Sequence, residues 1–241
     1  MEDCGYFGNL VENIDRGFGI SIRPAQTYQY LVIYYQLLVN YLNYCCISSL
    51  MRADEKVFMA YFESRASRLY YSRLKELTNL SHSSLQNVLQ KLTSKGLLKE
   101  EKEKSNIFYV IKDNKKIALK FSELAVQKFE ELNVGVKSPL RDFLKDFPHQ
   151  VFSVILFGSA SKKQERKDSD IDLLVVCHKE CDFTERKKKA SAISKYPLSI
   201  FQCSVEKFLE NKDHVIIQAK TTGFPIYGEQ NFYEVEINEY T

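Results

Sequence analysis

The sequence has almost no net charge and shows no compositional bias of a non-globular protein. Its 241 residues carry 34 Lys and Arg against 31 Asp and Glu, a formal net charge of +3, so the overall charge does not indicate a nucleic-acid binder. Hydrophobic residues make up 44%, which excludes disorder and collagen-like composition. At this length we expect a globular protein of two small domains, each able to bury its own core.

Cysteine is too sparse to dominate the fold, and the first residues do not show the pattern expected of a secretory signal. The six cysteines form no necessary disulfide framework in a chain with this apolar content, so we expect reduced thiols. No basic region, apolar stretch and small-residue cleavage site open the chain. The default expectation is a cytoplasmic protein.

Residues 24–51 lack any charged side chain, which raises the question of a membrane span. Glutamine and asparagine interrupt the segment, and its apolar residues recur at spacings of three and four, so an amphipathic helix is favoured over a span. A third interpretation carries equal weight: because Met51 directly precedes a well-patterned helix, residues 1–50 could be an overextension beyond the true start. The sequence leaves these alternatives open.

Residues 51–113 show three helical patterns followed by a hairpin pattern. The third predicted helix begins after the N-cap Ser81 and ends at Gly96. The β-rich run at 107–111 completes the hairpin. The pattern KELTNLSHSSLQNVLQKLTSKGLL with the hairpin after it resembles a winged helix-turn-helix domain. Such domains place the third helix in the major groove of DNA.

The polar face of this third helix supplies the candidate DNA contacts. Its side chains can hydrogen-bond base edges or phosphates, and residues 51–135 are the basic part of the chain, with 16 basic and 11 acidic groups. The candidates are Ser83, Ser84, Gln86, Asn87, Gln90 and Lys91. The face contains no arginine, and a winged helix can equally serve protein docking or formation of a homodimer.

Residues 114–135 have the apolar repeat of a connecting helix ending at Gly135, and a new domain is expected over 136–241. A short helix ending at Pro148 opens this domain. The runs 151–157 and 171–176 then predict two strands separated by a polar loop.

The chemistry-bearing residues lie at the facing ends of these two strands. Asp170 and Asp172 are two residues apart in an extended segment, so they project from one face about 7 Å apart at Cα and can share divalent metals. Gly158 and Ser159 follow the first strand, where a glycine turn into a helix start suits phosphate oxygens. Together these features predict a nucleoside triphosphate site.

A Gly-Ser pair, ten intervening residues and Asp-x-Asp resemble the signature of the DNA polymerase β type nucleotidyltransferase superfamily. FGS at 157–159 and DSDIDLLVV at 168–176 resemble its minimal nucleotidyltransferase family, and YPLSIFQCSVEKF at 196–208 and GFPIYG at 223–228 extend the likeness. The predicted fold class is therefore α+β in two domains, a winged helix-turn-helix followed by a nucleotidyltransferase domain with a small mixed sheet.

The resemblance implies ATP as substrate, Mg²⁺ as cofactor and transfer of AMP to an acceptor hydroxyl. Asp170 and Asp172 would be the catalytic metal ligands, Ser159 would contact a β or γ phosphate, and Lys162 would offset triphosphate charge. Domains of this family often act as antitoxins that modify a tyrosine of a HEPN-type toxin protein. The fused winged helix favours that regulatory branch over modification of small molecules.

One position departs from the family pattern. The third carboxylate of the family aligns with Ser199, and serine is no general base by itself. The chain could therefore be a slow transferase, take a base from its acceptor or a partner, or be a DNA-binding regulator that only senses nucleotide. The basic run 186–189, on a predicted helix between the second and third strands, is expected to be a solvated face, with polyanion contact as the alternative.

Overall fold

A computed structural model describes residues 51–240 of the chain. The predictions made for residues 1–50 lie outside the described residues. From Arg52 onward the chain forms one compact unit. The predicted division into two domains is therefore not confirmed, although the elements on either side of residue 113 form separate sheets.

The first part of the described chain consists of helices packed with a three-stranded antiparallel sheet. The sheet has the strand order β1-β3-β2. The elements are α1 (Ala53–Ser64), β1 (Arg68–Tyr70), α2 (Tyr71–Thr78), α3 (His82–Ser94), β2 (Leu98–Glu103) and β3 (Asn106–Ile111).

Helix α3 forms where the sequence predicts it, with the predicted N-cap. The Ser81 hydroxyl accepts a hydrogen bond from the amide of Ser84 at 3.2 Å, which satisfies one of the amides that a helix start leaves without an intrahelical acceptor. Leu85, Leu89 and Leu92 are buried, so the apolar face packs inward and the polar face is left to solvent.

Two details of this part differ from the pattern. The short strand β1 was not predicted; it pairs with β3 from Arg68 to Tyr70 because the chain between α1 and α2 runs along the hairpin. Leu77, three residues after the buried Leu74, is 37% exposed, because α2 ends at Thr78 and only its inner face at Leu74 reaches the core.

The connecting helix predicted over 114–135 is shorter in the structure. Helix α4 (Asn114–Glu130) ends five residues earlier, and α5 (Val134–Leu144) includes Gly135. The separation occurs because the carbonyl of Asn133 accepts the amides of Val136 and Lys137, both at 2.9 Å, which starts a new helix.

The second part is built on a mixed four-stranded sheet of order β6-β5-β4-β7. Strand β4 is antiparallel to β5 and β7, whereas β5 and β6 are parallel and joined by a helical crossover. The elements are β4 (Val151–Phe157), a 3₁₀ turn (Ala160–Lys162), β5 (Ile171–Cys177), α6 (Thr184–Ile193), β6 (Leu198–Ser204), α7 (Val205–Glu210), α8 (His214–Thr222), β7 (Phe224–Tyr227) and α9 (Glu229–Glu239).

The two parts share a buried aromatic cluster. Phe62 of α1, Phe121 of α4 and Tyr233 of α9 have ring centroids 5.5 to 5.7 Å apart, and all three are buried. Edge and tilted contacts at this distance stabilise beyond the area they bury. The last helix of the chain therefore packs against the first helix of the compact unit.

Within residues 51–240, no helix combines the length and apolar content needed to cross a membrane. Three of the six cysteines fall in this range, and Cys177, Cys181 and Cys203 are free thiols.

Candidate active site

The candidate site is formed where β4 ends and β5 begins. Antiparallel pairing places Phe157, the last residue of β4, opposite Asp172. The amide of Ile171 donates to the carbonyl of Pro197 at 2.8 Å, which ties the start of β5 to the start of β6. Residues that lie far apart in sequence therefore meet at one end of the sheet.

Gly158 packs directly against the Asp172 carboxylate. Its φ is +73°, and a Cβ built on it would lie 2.3 Å from Oδ2 of Asp172. A side chain would thus be disfavoured by the left-handed backbone and would also clash with the carboxylate. The structure brings the predicted glycine and the second predicted aspartate into contact.

Ser159 is followed by a single 3₁₀ turn and not by the longer helix start expected from the sequence. The Ser159 carbonyl accepts the amides of Lys162 and Gln164, both at 3.1 Å, so the chain folds back on itself at once. Lys162 is exposed on this turn. Its side chain is thus available to a ligand, and its predicted role toward triphosphate stays a prediction.

Ser161 supports this turn from beneath, a role that the sequence did not predict. It is 8% exposed, and its hydroxyl lies within hydrogen-bond distance of the carbonyls of Gly158 at 2.9 Å and Thr222 at 3.2 Å. The latter residue belongs to α8, 61 positions later. No local pattern could have revealed it, because a serine in a polar loop is ordinarily solvated.

The two aspartates form a small acidic site with unequal exposure. Asp170 is exposed just before β5, and Asp172 is half-buried within it. Burial first, and then the negative charge of Asp170, raise the pKa of the Asp172 carboxyl above its ordinary value. A divalent cation beside these carboxylates would relieve both effects, so the donor set fits Mg²⁺.

Within the described residues, no group of three or more His, Cys, Asp or Glu side chains is arranged to hold a metal ion. The pair Asp170 and Asp172 therefore offers two protein ligands. Mg²⁺ sites of this kind commonly complete their octahedron with water and substrate phosphates, so two carboxylates suit a metal that arrives with a nucleotide.

Ser199 lies on the strand next to the carboxylates. In the parallel pairing of β5 with β6, Asp172 is in register with Ser199. No acid occurs within β6, and Glu206, the first acid after it, belongs to α7. The position beside Asp172 thus carries a hydroxyl; that it replaces a third carboxylate stays a prediction.

The basic run on α6 divides into a packed arginine and three solvated lysines. The guanidinium of Arg186 donates to the carbonyls of Lys145 and Asp146 and lies 5.5 Å from the centroid of Phe147. Lys187, Lys188 and Lys189 are exposed. Arg186 therefore holds the segment after α5, and the solvated-face expectation fits the lysines.

The candidate DNA contacts lie together on α3. Ser83, Gln86, Asn87, Gln90 and Lys91 are exposed, and Ser84 is half-buried. Charges on the neighbouring hairpin are partly paired, since Lys99 contacts Glu101 at 2.6 Å and Arg68 contacts Glu103 at 2.7 Å. The helix offers hydrogen-bonding groups, whereas the hairpin adds no net positive charge, because its three lysines are balanced by Glu100, Glu101 and Glu103.

Comparison with known proteins gives a family match for one part of this chain. Residues 139–231 match the family model described as polymerase beta, nucleotidyltransferase. A solved structure described as "Crystal structure of the toxin-antitoxin with AMP-PNP" is similar at 20% identity with a TM-score of 0.32, covering 42% of this chain and 83% of that chain. No curated protein matches significantly.

The family match begins at residue 139, so it gives no support to a winged helix-turn-helix at 51–113. DNA binding and dimerisation likewise stay predictions. The matched range includes the glycine turn, both aspartates and Ser199. The family match supports assignment of residues 139–231 to the nucleotidyltransferase superfamily.

Proposed function

We propose that this protein transfers AMP from ATP to a hydroxyl of a partner protein. The observation that carries the proposal is the contact between the Gly158 turn and the Asp172 carboxylate, beside Asp170 and within the matched range. A glycine turn beside two carboxylates at one strand end could hold phosphate and a divalent metal, the two parts that this chemistry needs.

In the proposed reaction, the acceptor oxygen forms a bond to the α-phosphorus while the bond to pyrophosphate breaks. Bound Mg²⁺ would supply neutralisation of charge on the triphosphate. Asp170 and Asp172 would hold that ion, Ser159 would donate to a β or γ phosphate, and Lys162 would offset the remaining charge. Their common task is to hold the α-phosphate in line with the acceptor oxygen.

The proton of the acceptor hydroxyl needs a destination. Ser199, in register with Asp172, carries no carboxylate that could accept it. We therefore propose that the proton passes to water or to a base on the acceptor or a partner, and that transfer is slow. A HEPN-type toxin protein is the partner suggested by the minimal nucleotidyltransferase resemblance, with a tyrosine hydroxyl as acceptor.

The second candidate function is a DNA-binding regulator whose nucleotidyltransferase domain only senses nucleotide. Two observations favour it: the hydroxyl at Ser199 and the exposed polar face of α3. In this candidate, residues 51–113 act as a winged helix-turn-helix, and ATP binding at the Asp170 and Asp172 site alters the affinity for DNA.

The decisive experiment incubates the protein with α-labelled ATP, Mg²⁺ and candidate acceptors, including a small helical protein encoded beside it. We expect label on the acceptor with wild type and none with Asp170→Asn/Asp172→Asn, because the double variant loses both metal ligands. Calorimetry should show the matching loss of Mg²⁺-dependent ATP binding.

Asp168→Asn is the matched control, because it removes an exposed acid from the same loop without touching the strand-end pair. Unchanged ATP affinity in a folded double variant would overturn the site assignment. Nucleotide binding without transfer to any acceptor would favour the regulator.

A further inference from the structure

The end of α1 contacts the segment that supports the candidate site from behind. The guanidinium of Arg65, the residue after α1, donates from Nη1 to the carbonyl of Lys220 and from Nη2 to the carbonyl of Gly223. Residues 220–223 end α8 and lead into β7; we name them the α8–β7 junction. One planar side chain thus binds two carbonyls of this junction.

Hydrogen bonds also connect the α8–β7 junction with the Gly158–Ser159 turn of the candidate site. The Ser161 hydroxyl lies within hydrogen-bond distance of the carbonyls of Gly158 and Thr222 and shares its one proton between them. Gly223 approaches so closely that a Cβ on it would lie 2.6 Å from the Leu156 carbonyl oxygen and 2.8 Å from Cβ of Phe157. Hydrogen bonds and direct packing therefore connect the residues that Arg65 holds with the end of β4.

Arg65 makes these bonds from an unfavourable backbone conformation. It ends α1 in the left-handed region with φ 47°, where L-residues with a Cβ are strained and glycine is usual. The junction itself is firmly held. Lys220 is only 4% exposed, and its ammonium group donates a hydrogen bond to Glu239 at 2.9 Å. The guanidinium contacts accordingly offset a local backbone cost.

We propose that Arg65 is a positioning residue for the Gly158–Ser159 turn. It fixes the α8–β7 junction, and the junction fixes the turn through Ser161. The part of this inference that concerns ligands rests on the proposed function, since the turn would hold the triphosphate. Arg65 belongs to the end of α1, so a ligand that displaces α1 on binding would change the affinity for nucleotide. Bound nucleotide would in return change the affinity for that ligand by the same factor.

Hydrogen exchange of the full chain without nucleotide tests the mechanical part. We expect Arg65→Lys and Arg65→Gly each to raise exchange of the 158–163 amides about tenfold, since both lose the two-carbonyl contact. The two variants differ in their effect on the backbone, because lysine keeps the left-handed strain whereas glycine relieves it. A shared increase at 158–163 would therefore separate positioning from general stability.

Arg73→Lys is the matched control, because Arg73 pairs only with the exposed Glu76 on its own helix; its exchange should equal wild type. Ser161→Ala should reproduce the local increase, and the double variant with Arg65→Gly should add little to it, because both act through one connection. Unchanged exchange at 158–163 in both Arg65 variants, or an equal rise over the whole chain, would overturn the inference.

Affinity for Mg²⁺ and ATP provides the second measurement. We expect about tenfold weaker binding in Arg65→Gly with an unfolding midpoint close to wild type. Equal affinity in wild type and Arg65→Gly would overturn the ligand part. If wild type binds no ATP, the proposed function fails, and hydrogen exchange still decides whether Arg65 positions the turn.

Discussion

At the scale of single residues, the half-buried Asp172 links the site to stability. Its pKa is raised by burial and by the charge of Asp170, so the folded protein holds a proton there more tightly than the unfolded chain does. The associated stability is fully present below the ordinary pKa of aspartate and is lost as pH rises through the raised pKa. The metal-free protein is therefore destabilised at neutral pH by the carboxylate it would use.

This predicts that Asp172→Asn stabilises the metal-free protein at neutral pH. We expect a gain of about 1 kcal/mol or less, since solvent screens a half-exposed carboxylate, and the gain should vanish below the ordinary aspartate pKa. Urea unfolding from acidic to neutral pH measures it, with Asp168→Asn as control. If the variant were less stable than wild type at neutral pH, the ionised Asp172 carboxylate would not be destabilising the folded protein.

Ser199 gives the second prediction at this scale. Ser199→Asp places a third carboxylate in register with Asp172, and three neighbouring carboxylates repel one another without a cation. We expect lower stability without metal, tighter Mg²⁺ binding and AMP transfer faster by ~10² to 10⁴, the usual contribution of a positioned base.

Ser199→Asn is the control for this prediction, because it has nearly the shape of aspartate without the charge. Calorimetry and the labelled-ATP assay supply the measurements. If Ser199→Asp left transfer unchanged in an otherwise active enzyme, another group would have to supply the base.

At the scale of elements, α3 carries the open question of DNA binding. Its exposed face offers amides and hydroxyls, which suit contacts to base edges, while several charges of the adjacent hairpin are already paired. Any DNA affinity would thus have two sources: lysine contacts to the phosphates, which do not depend on sequence, and contacts from α3 to base edges, which do.

We predict that replacing Gln86, Asn87 and Gln90 by Ala reduces sequence preference more than total DNA affinity, and that affinity of all forms falls steeply with salt. Fluorescence titration of specific and random duplexes at several salt concentrations measures both. Gln127→Ala, an exposed glutamine of α4, is the control. Full preference in the triple variant would locate the reading element elsewhere, and no binding at low salt would favour protein docking.

At the scale of the whole molecule, the two parts have a common core. Phe121 is fully buried between Phe62 of α1 and Tyr233 of α9, and Asn114 at the start of α4 donates to Asn238 of α9 at 2.7 Å. A core that includes the first and last helices of the compact unit couples the unfolding of one part to the other.

We predict that the described unit unfolds in one transition and that Phe121→Ala lowers its stability by about 3 to 5 kcal/mol. Hydrogen exchange during urea unfolding should show α3 and β5 losing protection at the same denaturant concentration in wild type and variant. The control is Phe201→Ala, since Phe201 is 40% exposed and its loss should cost less. Two separate transitions would show that the parts are independent domains.

Local periodicity was sufficient to predict most elements, whereas the prediction of the candidate site also used the resemblance to nucleotidyltransferases. The leucines of α3 with Ser81 before them define a helix and its start, because amphipathic spacing and capping act within a few residues. The Asp-x-Asp spacing at the start of β5 predicts two carboxylates on one face, and the pairing of β4 with β5 brings the second of them against the Gly158 turn. The lack of any acid in β6 is likewise visible in the sequence alone.

Tertiary structure decided the features that depend on distant partners. Gly135 falls within a helix because the Asn133 carbonyl starts a new one, and Leu77 is exposed because the core reaches only one face of a short helix. Arg65 and Ser161 gain their positions from carbonyls of residues 220–223. Contacts between groups so far apart in the chain leave no periodic pattern in the sequence. The sequence by itself therefore determined most of the helices and strands and the types of residue at the candidate site. Packing decided how one part of the molecule holds the site of the other.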